Sequence, residues 1–265
     1  IRLRPLAFSA IFINMLFAHT AYIGVDPAPG KRAIHYAAIG PDLELLARGQ
    51  ADLNALLTFL SGQQQAVVAI HGPRQPNHQI ITDAGRREQY LIPMSKGRPG
   101  NMRVAEYTLR QHGLPVFQTP AKTDDAPQWM QISFQLYDKL KKIGFQPCQP
   151  EQSAPLQYLE VLPELGFRAW LEKAVLPANT LFGRIQRQLA LYERGLQIPD
   201  PMDLFEEITR FRILQGTLSQ DVIHTPAQIS ALAAAYLAWL SQNQPESLTF
   251  VGIPAEGQIT LPAEL

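Results

Sequence analysis

Asp26 closes the apolar run Ala21-Tyr22-Ile23-Gly24-Val25 and stands directly before Pro27-Ala28-Pro29-Gly30. A carboxylate at the tip of a buried strand, where the backbone turns away, is well placed to hold a metal ion. Two-metal hydrolysis of a phosphodiester needs several such carboxylates at one point. They hold Mg²⁺ or Mn²⁺ ions about 4 Å apart, one activating water and the other stabilising the leaving oxygen. Candidate partners are Glu106, Glu160 and, at a further remove, Glu88. His71, in Ala69-Ile70-His71-Gly72-Pro73, ends a second apolar run. With an ordinary pKa near 6.5 it is also a candidate general base. The competing reading of Asp26 is structural, since Asp is common before Pro-Gly turns.

Other chemistry-bearing residues are less specific. Gly24 and Gly30-Lys31 suggest a phosphate loop, but five residues separate the glycines. Arg32 also stands where a Mg²⁺-binding hydroxyl is required. His35, His78, His112 and His224 read as surface or hydrogen-bonded side chains. Arg86, Arg87, Arg98, Arg103 and Arg110 read either as a solvated face or as a phosphate-binding rim.

These residues need elements to position them. Tyr22–Asp26, 32–39 and 43–48 read as three strands, with Gly40-Pro41-Asp42 as a turn. Leu53, Leu56, Leu57 and Leu60 have helical spacing and Gly62 lies just past them. Ala66–Ile70 reads as a buried strand. The opening is therefore β-β-β-α-β, which puts the tips of the first and fourth strands side by side, with a later helix bringing a third group. Residues 72–99 read as a long functional loop with some helix. Helices are expected over 102–111, 130–143, 180–194, 202–215 and 226–242. Strands are expected at 116–117 and 158–162, with a closing hairpin at 248–251 and 258–261. The expected class is α/β, a mixed sheet flanked by helices.

The chain has 265 residues, of which 46% are hydrophobic, enough for one large core. No repeat or composition break divides it, and 21–265 reads as one domain. Charge balances at 23 basic and 23 acidic residues, so nucleic-acid binding would have to rely on a local patch. Cys148 is the one cysteine, which excludes a disulfide framework or a thiolate zinc cluster and fits a cytoplasmic setting. Residues 1–20 read as a doubtful extension. Their apolar stretch Leu6–Ala18 is too short to span a bilayer comfortably, and no membrane partner is expected. That stretch reads as a signal-like leader or as sequence upstream of a natural start at Met15, the second being preferred.

From Tyr22 onward the chain resembles the predicted ribonuclease-H-like nucleases catalogued as domain of unknown function 429. The resemblance rests on Ile23-Gly24-Val25-Asp26, Val67-Val68-Ala69-Ile70-His71-Gly72-Pro73, Arg103-Val104-Ala105-Glu106, Leu159-Glu160-Val161-Leu162-Pro163 and the helix segment Ile229–Ala235. It implies a ribonuclease-H-like sheet and a metal-dependent nuclease, with Asp26, Glu106 and Glu160 at acidic positions that hold Mg²⁺ or Mn²⁺. His71 and Ser230 stand where the family usually carries Asp, and Ala227 lacks a carboxylate that relatives often have. Losing two anions removes charge and oxygen ligands together, and Mg²⁺ gains little from imidazole. Weak or absent two-metal catalysis is therefore expected at Asp26, His71, Glu106, Glu160 and Ser230. One alternative is a non-catalytic relative that binds nucleic acid or protein through the Arg-rich loop 74–110. Another is a rebuilt site in which His71 and His224 join Asp26 to bind Zn²⁺ or Mn²⁺.

Overall fold

β1 (Ala21–Asp26) is buried along its whole length, the burial expected of a strand covered on both faces. The computed structural model describes residues 20–27, 33–93, 100–149, 154–171 and 175–265. The extension 1–19, the Pro-Gly loop beyond Pro27 and Arg98 lie outside the described residues. β2 (Ile34–Ile39) and β3 (Leu45–Ala51) follow, then α1 (Leu53–Ser61) and β4 (Ala66–Ile70). Next come α2 (Ala84–Gln89), α3 (Val104–Gln111), α4 (Gln128–Lys142), β5 (Gln146–Pro147), β6 (Leu156–Val161), α5 (Pro163–Leu171) and α6 (Leu181–Tyr192). The chain ends with α7 (Asp203–Glu207), α8 (Arg210–Gln215), α9 (Pro226–Asn243), β7 (Leu248–Ile253) and β8 (Gly257–Pro262).

Among the described residues these strands form one mixed sheet, ordered β3-β2-β1-β4-β6-β8-β7, with β5 beside β6. β1, β4, β6 and β8 run parallel, while β2, β3 and β7 pair antiparallel with their neighbours. The β-β-β-α-β opening is present, and β1 lies directly against β4.

Side chains alternate across a strand, so each strand feeds two cores. Tyr22, Val67, Ala69, Leu159 and Val161 pack with Leu232, Tyr236 and Leu237 of α9 and with Phe167 of α5. Ile23, Val25, Val68, Ile70 and Tyr158 pack instead with Leu56 and Leu60 of α1 and with Leu136, Tyr137 and Leu140 of α4. α9 starts at a capping box: the Thr225 hydroxyl accepts from the Gln228 N–H, the Gln228 side chain accepts from the Thr225 N–H, and Pro226 occupies the first turn. Its run of alanines lets it approach β1 closely at Gly24.

The structure departs from the sequence expectation in several places. The helix expected over 202–215 is two, because Ile208 and Thr209 are extended and the Thr209 hydroxyl caps a new start at Arg212 N–H. Val116-Phe117 joins no ladder; Phe117 packs edge-on against Trp129 instead. No helix is expected over 163–171, yet Pro163 opens α5 there, where a missing N–H costs nothing. No helix among the described residues is long and apolar enough to cross a membrane.

Candidate functional site

Asp26 has the strand parity of Tyr22, so its side chain leaves β1 on the α9 face. His71 follows β4, and its N–H donates to Val25 O at 2.9 Å, carrying the ladder one step further. That step sets its imidazole beside Asp26, with Nδ1 at 3.5 Å from Asp26 Oδ1. Ser230, near the start of α9, brings its Oγ to 3.2 Å from the same Nδ1. The structure thus gathers Asp26, His71 and Ser230. They line a cleft of about 250 Å³, walled by Pro163, Phe167, Arg187 and Ile229.

His35 belongs to the same row of residues. It faces Asp26 directly across the antiparallel β1–β2 ladder. Burial lowers its pKa, the Asp26 carboxylate opposes that shift, and its Nδ1 is buried without a partner among the described residues. Sequence reading passed His35 over as a solitary histidine. The signal that could have found it is the tight β1–β2 pairing, which fixes which residue sits opposite Asp26.

Asp26 and Ser230 address one nitrogen of His71, not two. In a nucleophile–base–acid relay, hydroxyl and carboxylate occupy opposite ring nitrogens. The cluster is therefore not wired to activate Ser230 as a nucleophile. Both groups instead orient the imidazole through Nδ1. Arg187 adds no free cation to the cleft. It donates to both oxygens of Glu164, at 2.6 and 3.2 Å, and to Leu176 O at 2.6 Å, while standing over the Phe167 ring.

Glu106 and Glu160 build a second, separate centre. Glu160 shares the parity of Tyr158, so it leaves the sheet on the α4 face, opposite to Asp26. There it meets Arg103, which immediately precedes α3 and is fully buried. Arg103 grips Glu160 with two nitrogens, at 2.9 and 2.5 Å, and Glu106 with Nε at 2.8 Å. Glu106 also accepts from the N–H groups of Arg103 and Thr119 and from the Thr119 hydroxyl. Glu160 accepts from Arg74 N–H at 3.1 Å. Burial alone would pull the Arg103 pKa down, but Glu160 and Glu106 outweigh it and hold the guanidinium above its ordinary value. Burial pushes the Glu160 carboxyl up, and Arg103 opposes this without cancelling it.

The expected trio of Asp26, Glu106 and Glu160 is thus divided. Among the described residues, no three His, Cys, Asp or Glu side chains are grouped to hold one metal ion. The groups gathered at the Asp26 carboxylate include the imidazoles of His71 and His35 and the Ser230 hydroxyl, a set poorly matched to a pair of hard Mg²⁺ ions. His224 does not join them. Its ring nitrogens face Arg48 Nη1 at 2.7 and 2.9 Å, and burial, aided by Arg48, lowers its pKa to about 4. The Arg-rich segment is similarly reduced as a binding rim. Arg103 is internal, Arg86 and Arg87 donate to the carbonyls of His78 and Ile81, and Arg110 is exposed on α3. Glu88 is exposed on α2. Comparison with family models, with curated proteins and with solved structures finds no match to this chain.

Proposed function

We propose that this chain is a ribonuclease-H-like protein that has lost two-metal phosphodiester cleavage and keeps the Asp26–His71–Ser230 cleft as a binding site. The β-β-β-α-β opening, with β1 beside β4, supports the fold reading. One observation carries the functional reading: Arg103 takes up both Glu106 and Glu160, on the face of the sheet opposite Asp26. Without them Asp26 stands beside the imidazoles of His71 and His35, with the Ser230 hydroxyl on His71, and Glu164, the one other carboxylate lining the cleft among the described residues, is bonded to Arg187. In this reading His71 is the group that meets a ligand. Its Nδ1 is oriented by Asp26 and Ser230, which leaves Nε2 to donate to or accept from a bound molecule according to tautomer. A nucleic-acid rim on 74–110 is the weaker reading, because three of its arginines serve the protein's own carbonyls and carboxylates.

The test is cleavage of single-stranded DNA, RNA and DNA–RNA hybrid in Mg²⁺ or Mn²⁺. The wild-type chain is expected to leave all three intact at the level of a no-protein control. Metal-dependent cleavage that disappears in Asp26→Asn would overturn the proposal.

A further inference from the structure

We propose that α7 and α8 form an interface with a second copy of this chain. Among the described residues thirteen large apolar side chains are exposed, and six of them fall within 202–214: Met202, Phe205, Ile208, Phe211, Ile213 and Leu214. Every residue from 205 to 217 is exposed. The segment is nevertheless tied down. Leu204 is buried against Ile185 of α6 and Ile223, which fixes α7 to the body of the protein. α8 carries a cap at each end, the Thr209 hydroxyl on Arg212 N–H and a left-handed Gly216. Yet no residue of α8 is buried, and Phe211, Ile213 and Leu214 are 70%, 56% and 76% exposed. A helix of six residues is too short to hold in water by itself, and short helices owe their stability mainly to the packing of an apolar face. Phe211 and Leu214, three apart, share such a face and present it to the outside.

Area and charge name the partner. The six side chains expose about 600 Å², the upper end of the largest apolar patch on a typical monomer and most of the ~800 Å² that one partner brings to a stable interface. Exposed charges among them supply the remainder, and those charges are ordered. Asp203, Glu206 and Glu207 lie on α7, and Arg210 and Arg212 lie on α8. Arg212 pairs with Glu207 inside the chain, while Asp203, Glu206 and Arg210 are in no ion pair among the described residues. A two-fold axis near Ile208 makes such a surface its own complement. It sets α7 of one copy on α8 of the other, acid against base at both ends, with the apolar side chains between them. An anionic membrane is a poorer match. A helix that lies on one carries a mainly basic polar face, and here three acids outnumber two bases.

Sedimentation equilibrium of the full chain over a range of micromolar concentrations tests the proposal. The wild-type chain is expected to dimerise. Phe211→Asp/Leu214→Asp, at two exposed positions, is expected to weaken dimerisation about thirtyfold or more, the loss of one interface anchor. Two charge variants give an independent reading. Arg210→Glu/Arg212→Glu makes the segment wholly acidic, and Glu206→Lys/Glu207→Lys makes it mainly basic. Each alone is expected to dimerise at least about tenfold more weakly than the wild-type chain, through like charges set against each other. An equimolar mixture of the two is expected to recover dimers, because the mixed pair again meets acid against base at both ends. The proposal is overturned if the wild-type chain stays monomeric throughout, whether the patch is then bare, seated on lipid or covered by residues of the same chain. It is also overturned if the dimer persists unchanged in the apolar variant, or if mixing the charge variants yields no more dimer than each gives alone.

Discussion

Replacing Arg103 with methionine lowers the stability of the protein by about 3–5 kcal/mol, the usual cost of breaking a buried ion pair from one side. The side chain is fully buried and its guanidinium serves two carboxylates, Glu106 and Glu160, which are themselves buried. Methionine fills much of the volume but leaves both carboxylates without their cation. The backbone N–H groups of Thr119 and Arg74 still donate to them, which limits the loss but does not replace the charge. Burial already pushes the Glu160 carboxyl upward, and without Arg103 that push is less opposed. A carboxyl whose folded pKa is raised favours folding in acid and loses that contribution as pH rises. The deficit of the variant is therefore larger near neutral pH than in mild acid. Arg103→Lys keeps a charge but cannot hold two carboxylates in a planar fork, so it recovers only part of the loss. Urea unfolding across pH checks this. A loss below about 1 kcal/mol at neutral pH would mean that the centre contributes like an exposed surface pair.

Gly24→Ala is the second large effect. A β-carbon at this position would run into Ala231 O and Ala235 N on α9 and lie 2.9 Å from Ala234 Cβ. Two of the three obstacles are helix backbone, which cannot rotate away as a long side chain can. Overpacking of this kind costs typically about 1–3 kcal/mol, and a rigid obstacle puts Gly24 at the upper end. The push also reaches the cleft, because Ser230 precedes the struck residue Ala231. Displacing α9 lengthens the contact from Ser230 Oγ to His71 Nδ1, now 3.2 Å. Thermal unfolding of Gly24→Ala, with the neighbouring Ala37→Gly strand variant as a reference for backbone entropy, measures the effect. Unchanged stability in Gly24→Ala would show that α9 sits further from β1 than described.

Part of this architecture was readable from residue types. The apolar runs ending at Asp26 and His71 mark two adjacent strand tips, and the late alanine-rich helix supplies Ser230. Adjacency therefore follows from the order of elements. Facing does not follow from order alone. Glu160 lies one residue beyond Leu159 and two beyond Tyr158, and that parity sends it to the α4 side. Predicting this requires knowing which face Tyr158 takes, and that is settled by packing against Tyr137. Arg103 was hidden for a different reason. Its partner Glu160 lies 57 residues away in sequence, and an arginine among other arginines reads as solvated until that contact is known. β5 was invisible because its two residues, Gln146–Pro147, are too few to carry a periodic signal. At 208–209 the helical pattern continued while a threonine cap divided the helix, a local hydrogen bond overriding periodicity.

The most direct test of the central claim is a calorimetric titration of Mg²⁺ into the wild-type chain and into the His71→Asp/Ser230→Asp double variant. The division of the carboxylates predicts no tight Mg²⁺ binding to the wild-type chain. It predicts measurable binding once two hard oxygen donors stand beside Asp26, provided the variant retains the wild-type circular dichroism. Tight, saturable binding to the wild-type chain that is lost in Asp26→Asn would contradict the account, because the Asp26 cluster would then hold the metal in spite of its imidazole and hydroxyl.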